Sequence, residues 1–161
     1  MRRAGFSMIE LVISMFIMTV VLLASVPNLR SYRESVRLQR GTDIVTSAVA
    51  DARARSRSEN ISVIVECRTA TNEVAVIDDS NGNGTVDVGE RVEVHALGNG
   101  LTLAQTSFTN DHLIFDDRGT AISGGSIFVT GADGLPPKRC RVSTGTGHVT
   151  VRGVTAVGDE N

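Results

Sequence analysis

At 161 residues the chain has room for one globular head beyond its terminal segment, and with 4% aromatics and no Trp that head must build its core from Val, Ile and Leu. The net charge of −2 hides a split: residues 1–40 carry six Arg against two Glu, while residues 41–161 carry ten basic against sixteen acidic side chains, a net of −6. An acidic head argues against a general nucleic-acid binder, and histidines without metal-ligand spacing to one another, with no nucleophile elbow and no helix-opening phosphate loop, argue against an enzyme.

The first element follows Arg2 and Arg3. Gly5-Phe6-Ser7-Met8-Ile9-Glu10 opens an apolar run, Leu11 to Leu29, that holds no charged residue. Nineteen helical residues at about 1.5 Å each reach about 28 Å, enough to cross the hydrocarbon core of a bilayer. Glu10 stands at the mouth of this run, where an acidic group is costly unless it finds a partner. No basic residue lies within a turn of it inside the run, but a free amine would be supplied by a cut just upstream. An ordinary signal peptide cleaved near Leu23-Ala24-Ser25 and a permanent single-pass anchor are competing readings, and neither accounts for Glu10.

Gly5-Phe6-Ser7-Met8-Ile9-Glu10-Leu11 resembles the prepilin cleavage motif of type IV pilins and type II secretion pseudopilins, a short basic leader followed by Gly, the cut, Phe, and Glu as the fifth mature residue. The resemblance implies that a membrane prepilin peptidase cuts between Gly5 and Phe6 and N-methylates Phe6. It further implies that Glu10 pairs with the new N-terminus of Phe6 in a neighbouring subunit. Arg30, Arg33, Arg37 and Arg40 follow the run, so counting Lys and Arg alone would orient the segment the other way. The motif places the leader in the cytoplasm, the run in the bacterial inner membrane and the head in the periplasm, until the subunit is extracted into a pilus or pseudopilus.

Beyond Pro27, which is expected to kink or locally unwind the helix, apolar periodicity resumes. Leu29, Tyr32 and Val36, then Gly41, Ile44, Ala48 and Ala52, recur at spacings of three and four, with Val45 and Val49 widening the stripe. This predicts an amphipathic helix that covers a sheet. Arg30, Arg33, Arg37 and Arg40 line the other side, as a solvated face or as a contact with subunits or lipid headgroups. The pattern fades at Arg57–Asn60, where Asn60 suits a helix end, so the helix is expected from Phe6 to about Arg57, roughly 78 Å long and half of it projecting from the head. The domains read as 1–5 leader, 6–29 membrane and assembly half of the helix, 30–58 amphipathic half, and 59–161 β-rich head.

After Asn60 the period changes to two. Ile61–Cys67, Glu73–Ile77, Arg91–Leu97, Leu101–Ala104, His112–Asp116, Ser126–Thr130, Arg139–Ser143 and His148–Arg152 read as short strands. Turn clusters at Thr71-Asn72, Ser80–Gly84, Gly98–Gly100, Gly124-Gly125, Asp133-Gly134 and Thr144–Gly147 separate them. One long helix followed by consecutive strands predicts an α+β fold of type IV pilin kind, the helix packed on an antiparallel sheet, with a frayed tail after Gly153. Asp78–Glu90 and the later Arg-Cys-Arg-Val-Ser…Gly-His-Val segment resemble the GspH/FimT branch of minor pseudopilins. That resemblance implies a subunit of the tip complex that primes filament assembly, with other major and minor pilins or pseudopilins as partners and no cofactor.

Three groups in the head invite chemistry. Cys67 and Cys140 would lie where a disulfide is permitted, and sequence leaves open whether they meet. Asp79, Asn81, Asn83, Asp87 and Glu90 occupy ligand positions of an EF-hand pattern, with Gly84 at the turn. Strands rather than helices flank that loop, so a polar β-hairpin loop is the favoured reading over a calcium site or a calcium-dependent adhesin-like tip. Lys138, Arg139 and Arg141, with Arg152, form a basic patch that could contact DNA phosphates or simply keep a strand edge soluble. DNA-uptake pilins of FimT type carry a Gly-Arg-x-Arg motif, and here Gly147-His148-Val149-Thr150 lacks both arginines. His95, His112 and His148 are isolated. The sequence leaves open whether the host machine is a type II secretion system or a type IV pilus.

Overall fold

The computed structural model describes residues 7–131 and 135–158, with side chains described at all of these except 24–31. Two compact units comprise residues 1–34 and 35–161.

Helix α1 runs Met8–Glu59. Ser7 precedes it, and its carbonyl accepts the amide of Leu11 at 3.2 Å, closing the first turn. Ser7 and Glu10 have the Ser-x-x-Glu spacing of a capping box, and the acidic side chain lies where the helix dipole favours it. The helical backbone continues through position 27, so the local unwinding expected there does not occur. Asn60 ends the helix with φ of +54°, the left-handed geometry that Asn tolerates better than most residues. Among the described residues no helix is long and apolar enough to cross a membrane. Positions 24–29 of the expected membrane run have no described side chains.

Eight strands follow: β1 Ser62–Arg68, β2 Glu73–Asp79, β3 Val92–Ala96, β4 Thr102–Thr106, β5 His112–Phe115, β6 Gly125–Thr130, β7 Lys138–Val142 and β8 Val149–Gly153. All pair antiparallel and divide into two four-stranded sheets, ordered β3-β2-β1-β5 and β4-β6-β7-β8. A short 3-10 turn at Thr109–Asp111 precedes β5.

Both sheets and the helix share one core. From α1 it takes Leu38, Val45, Ala48, Val49 and Ala52; from the first sheet Val63, Val65, Val74 and Val76; from the second Ile127, Val129 and Val142. The buried helical stripe therefore starts at Leu38, not at Tyr32, which is 67% exposed. Gly41 leaves room for the Leu101 side chain, since a Cβ there would meet Leu101 Cδ1 at 2.6 Å. Beyond β8 the chain does not fray at once: Val154 is buried and its N–H donates to the carbonyl of Pro137 at 2.9 Å.

Candidate assembly segment and polar sites of the head

Glu10 lies in the first turn of α1 and is exposed. Its backbone carbonyl accepts the Ser14 hydroxyl at 2.7 Å. Around it most of the helix surface is apolar and uncovered: Met8, Ile9, Leu11, Val12, Ile13 and Phe16 are each more than half exposed, and exposed apolar side chains continue to Leu23. A helix apolar all round is stable only when buried in lipid or among other helices. Glu10 is the one charged side chain between Met8 and Leu23, a carboxylate set in a largely apolar surface. Gly5 and Phe6, expected to flank the cleavage point, lie outside the described residues.

In the head, the segment from Asp79 to Glu90 connects the antiparallel neighbours β2 and β3, so it is a hairpin loop. Positive φ falls on Gly82, Gly84 and Gly89. The Asp79 carboxylate, which is buried, accepts the amides of Asn83 at 3.1 Å and Gly84 at 2.8 Å. Asp87 accepts the side-chain amides of Asn81 at 2.8 Å and Asn83 at 2.7 Å, which hold its carboxyl below the ordinary value of 3.8. Glu90 Oε2 accepts the Asp87 amide at 2.9 Å, leaving Oε1 buried without a hydrogen bond. These oxygens brace the loop, and among the described residues no three His, Cys, Asp or Glu side chains converge as metal ligands.

The pairing of Cys67 with Cys140, which the sequence leaves open, is not formed. Cys67 enters from β1 of the first sheet and Cys140 from β7 of the second, and both are buried as free thiols among apolar side chains. The basic patch also divides. Strand alternation turns Lys138 from Arg139 and Arg141, and its Nζ donates to Gln39 Oε1 on α1. Arg139 and Arg152 are register partners across β7 and β8, and Arg141 pairs with Thr150. The structure thus gathers the three arginines and removes the lysine. The histidines remain apart, His95 on β3, His112 on β5 and His148 before β8.

Sequence reading missed the arginines that tie the end of α1 to the head. Arg55 donates to Asp78 at 3.2 Å and to Glu93 at 2.5 Å. Arg53 and Arg57 donate to the carbonyls of Gly119 and Arg118 at 3.1 and 3.0 Å. Arg53 and Arg57, four apart, share one face of α1 while Arg55 points from another, and only the partners reveal their role.

Residues 1–26 match the prokaryotic N-terminal methylation motif. No curated protein sequence matches the chain. Among solved structures it is similar to the type IV minor pilin FimU of Pseudomonas aeruginosa PAO1, at 13% identity and a TM-score of 0.56, over 75% of this chain and 92% of that one. It is also similar to the minor pseudopilin EpsH from the type 2 secretion system of Vibrio cholerae, at 11% identity and a TM-score of 0.54, over 74% of this chain and 96% of that one. The chain thus joins the N-terminal methylation motif of prepilin-type proteins to a head of type IV pilin-like α+β fold.

Proposed function

We propose that the protein is a minor pilin or pseudopilin of GspH/FimT type, a structural subunit that needs no cofactor. It is cleaved between Gly5 and Phe6, N-methylated at Phe6 and held in the bacterial inner membrane by its first helix. From there it is incorporated into the tip of a type II secretion pseudopilus or a type IV pilus. The observation that carries this reading is Glu10, the one carboxylate between Met8 and Leu23, where the apolar surface of the helix is uncovered, inside the segment that matches the methylation motif. The carboxylate then pairs with the methylated amine of Phe6 on an adjacent subunit and sets the register of helix packing. A DNA-uptake reading would rest on Arg139, Arg141 and Arg152. It is not favoured, because the head carries a net charge of −6 and lacks the paired arginines at Gly147–Thr150.

Intact-mass analysis of membrane-extracted protein tests the processing: the expected mass lacks residues 1–5 and carries one methyl group. A chain beginning after Ala24 would overturn the reading. In the same cells Glu10→Ala is expected to remain in the membrane fraction yet be lost from the sheared filament fraction. Undiminished incorporation of that variant would remove the role assigned to the carboxylate.

A further inference from the structure

The outer face of the second sheet carries a feature that the assembly reading does not use. Register places Ser126, Arg141 and Thr150 in one row across β6, β7 and β8, and Phe128, Arg139 and Arg152 in the next. Ile127 and Cys140, at alternating positions, fill the core, so these two rows face away from it. Two cavities flank the side chains of Arg139 and Arg141. One, of about 430 Å³, adds Ser107, Gly124 and Thr144; the other, of about 200 Å³, adds Ser143, Thr150 and Arg152. Arg139 and Ser126 form a buried floor, at 4% and 6% exposure, while Arg141 and Arg152 stand exposed at the rim. Arg139 has contacts of its own, so Arg141 and Arg152 are the guanidiniums that meet an incoming group. At the cavity wall Gly124 packs tightly on Thr144, where a Cβ would strike the hydroxyl at 2.4 Å and the backbone nitrogen at 2.9 Å.

We infer that this face is an oxyanion site that takes a phosphate group on a small ligand. Arg141 and Arg152, diagonal neighbours on paired strands, set two like charges on one face, and a dianion placed between them relieves their repulsion. Guanidinium forks and hydroxyls together supply more donors, from more directions, than the two coplanar oxygens of one carboxylate can accept, whereas tetrahedral phosphate oxygens match them. Nucleic acid fits less well. Phe128, the ring on this face, is 1% exposed and offers no base-stacking platform. A stiff duplex would reach the rim but not the floor, and would meet the field of an acidic head.

The test is calorimetric titration of the full-length protein in detergent with inorganic pyrophosphate and, in parallel, with ADP. Equal affinities assign the phosphate alone, and tighter ADP assigns a nucleoside phosphate; either supports the site. Arg141→Ala and Arg152→Ala are each expected to weaken binding by about tenfold or more, and Arg141→Lys to do nearly as much, since Lys keeps the charge but loses the fork. Both side chains are exposed, so unchanged melting temperatures will show that the variants fold. The proposal is overturned by absent binding at low-millimolar pyrophosphate, by affinity indifferent to these substitutions, or by duplex DNA that binds without being displaced by pyrophosphate. A poly-glutamate peptide that competes as well as pyrophosphate would also overturn it, and would make the face a docking surface for acidic protein.

Discussion

Cys67 and Cys140 are packed among Val, Leu and Phe side chains, and burial pushes each thiol up to about 12 from an ordinary 9.0. Both therefore stay protonated and shielded at neutral pH. Iodoacetamide is expected to leave the native head unlabelled and to add two groups once it is denatured without reductant. An intact mass lower by two hydrogens, with no labelling after denaturation, would instead show a bridge. Single residues were unevenly legible in the sequence. Glu10 stood out because its charge contradicts its surroundings, and Asn60 because its side chain suits a helix end. The opposite directions of Lys138 and Arg139 became visible only through strand register, because adjacent residues differ in face and nothing in their own chemistry says which face is inner.

Strands were readable from a change of period and from Gly and Asn at the turns, and each of the eight lies within two residues of its expected limits. Their division between two sheets was not, since it depends on pairings distant in sequence, such as Ile64 with Ile114. The amphipathic stripe was also drawn too far toward the N-terminus, because spacing alone cannot say where a partner surface begins. One tertiary tie at this level can be tested directly. Arg55 is 14% exposed and spans from α1 to β2 and β3, where it holds the Asp78 carboxylate, itself 9% exposed. Arg55→Ala leaves that carboxylate without its close guanidinium and is expected to cost about 1–3 kcal/mol in denaturant unfolding. Glu93→Gln, at a more exposed position, is expected to cost less. A loss in Arg55→Ala no larger than in Glu93→Gln would show that the bridge contributes nothing beyond a surface pair.

Across the molecule, three carboxylates among the described residues are held low. The hydrogen bond from Arg55 depresses Glu93, the Asn81 and Asn83 amides depress Asp87, and the Thr120 amide, with that of Arg118, depresses Asp116. A depressed carboxyl contributes stability that is present above its unfolded value and is lost as pH falls through its folded value. The two raised thiols act in the opposite sense: their contribution is complete below 9.0 and is lost as pH rises toward about 12. Melting temperature is thus expected to hold a plateau between about pH 5 and pH 9 and to decline on both sides. Continued stabilisation below pH 4 would contradict the carboxylate assignments.

The order in which the strands are dealt between the sheets has a further consequence. The chain builds β1 to β3 of the first sheet, leaves to form β4 of the second, and returns with β5 beside β1 before laying down β6, β7 and β8. Each sheet thus contains a strand delivered from within the other's stretch of chain. No cut divides the head into one fragment holding all of the first sheet and another holding all of the second. The chain must be made through residue 115 before the first sheet is complete and through residue 153 before the second is, so the core the two sheets share is finished only with the last strand.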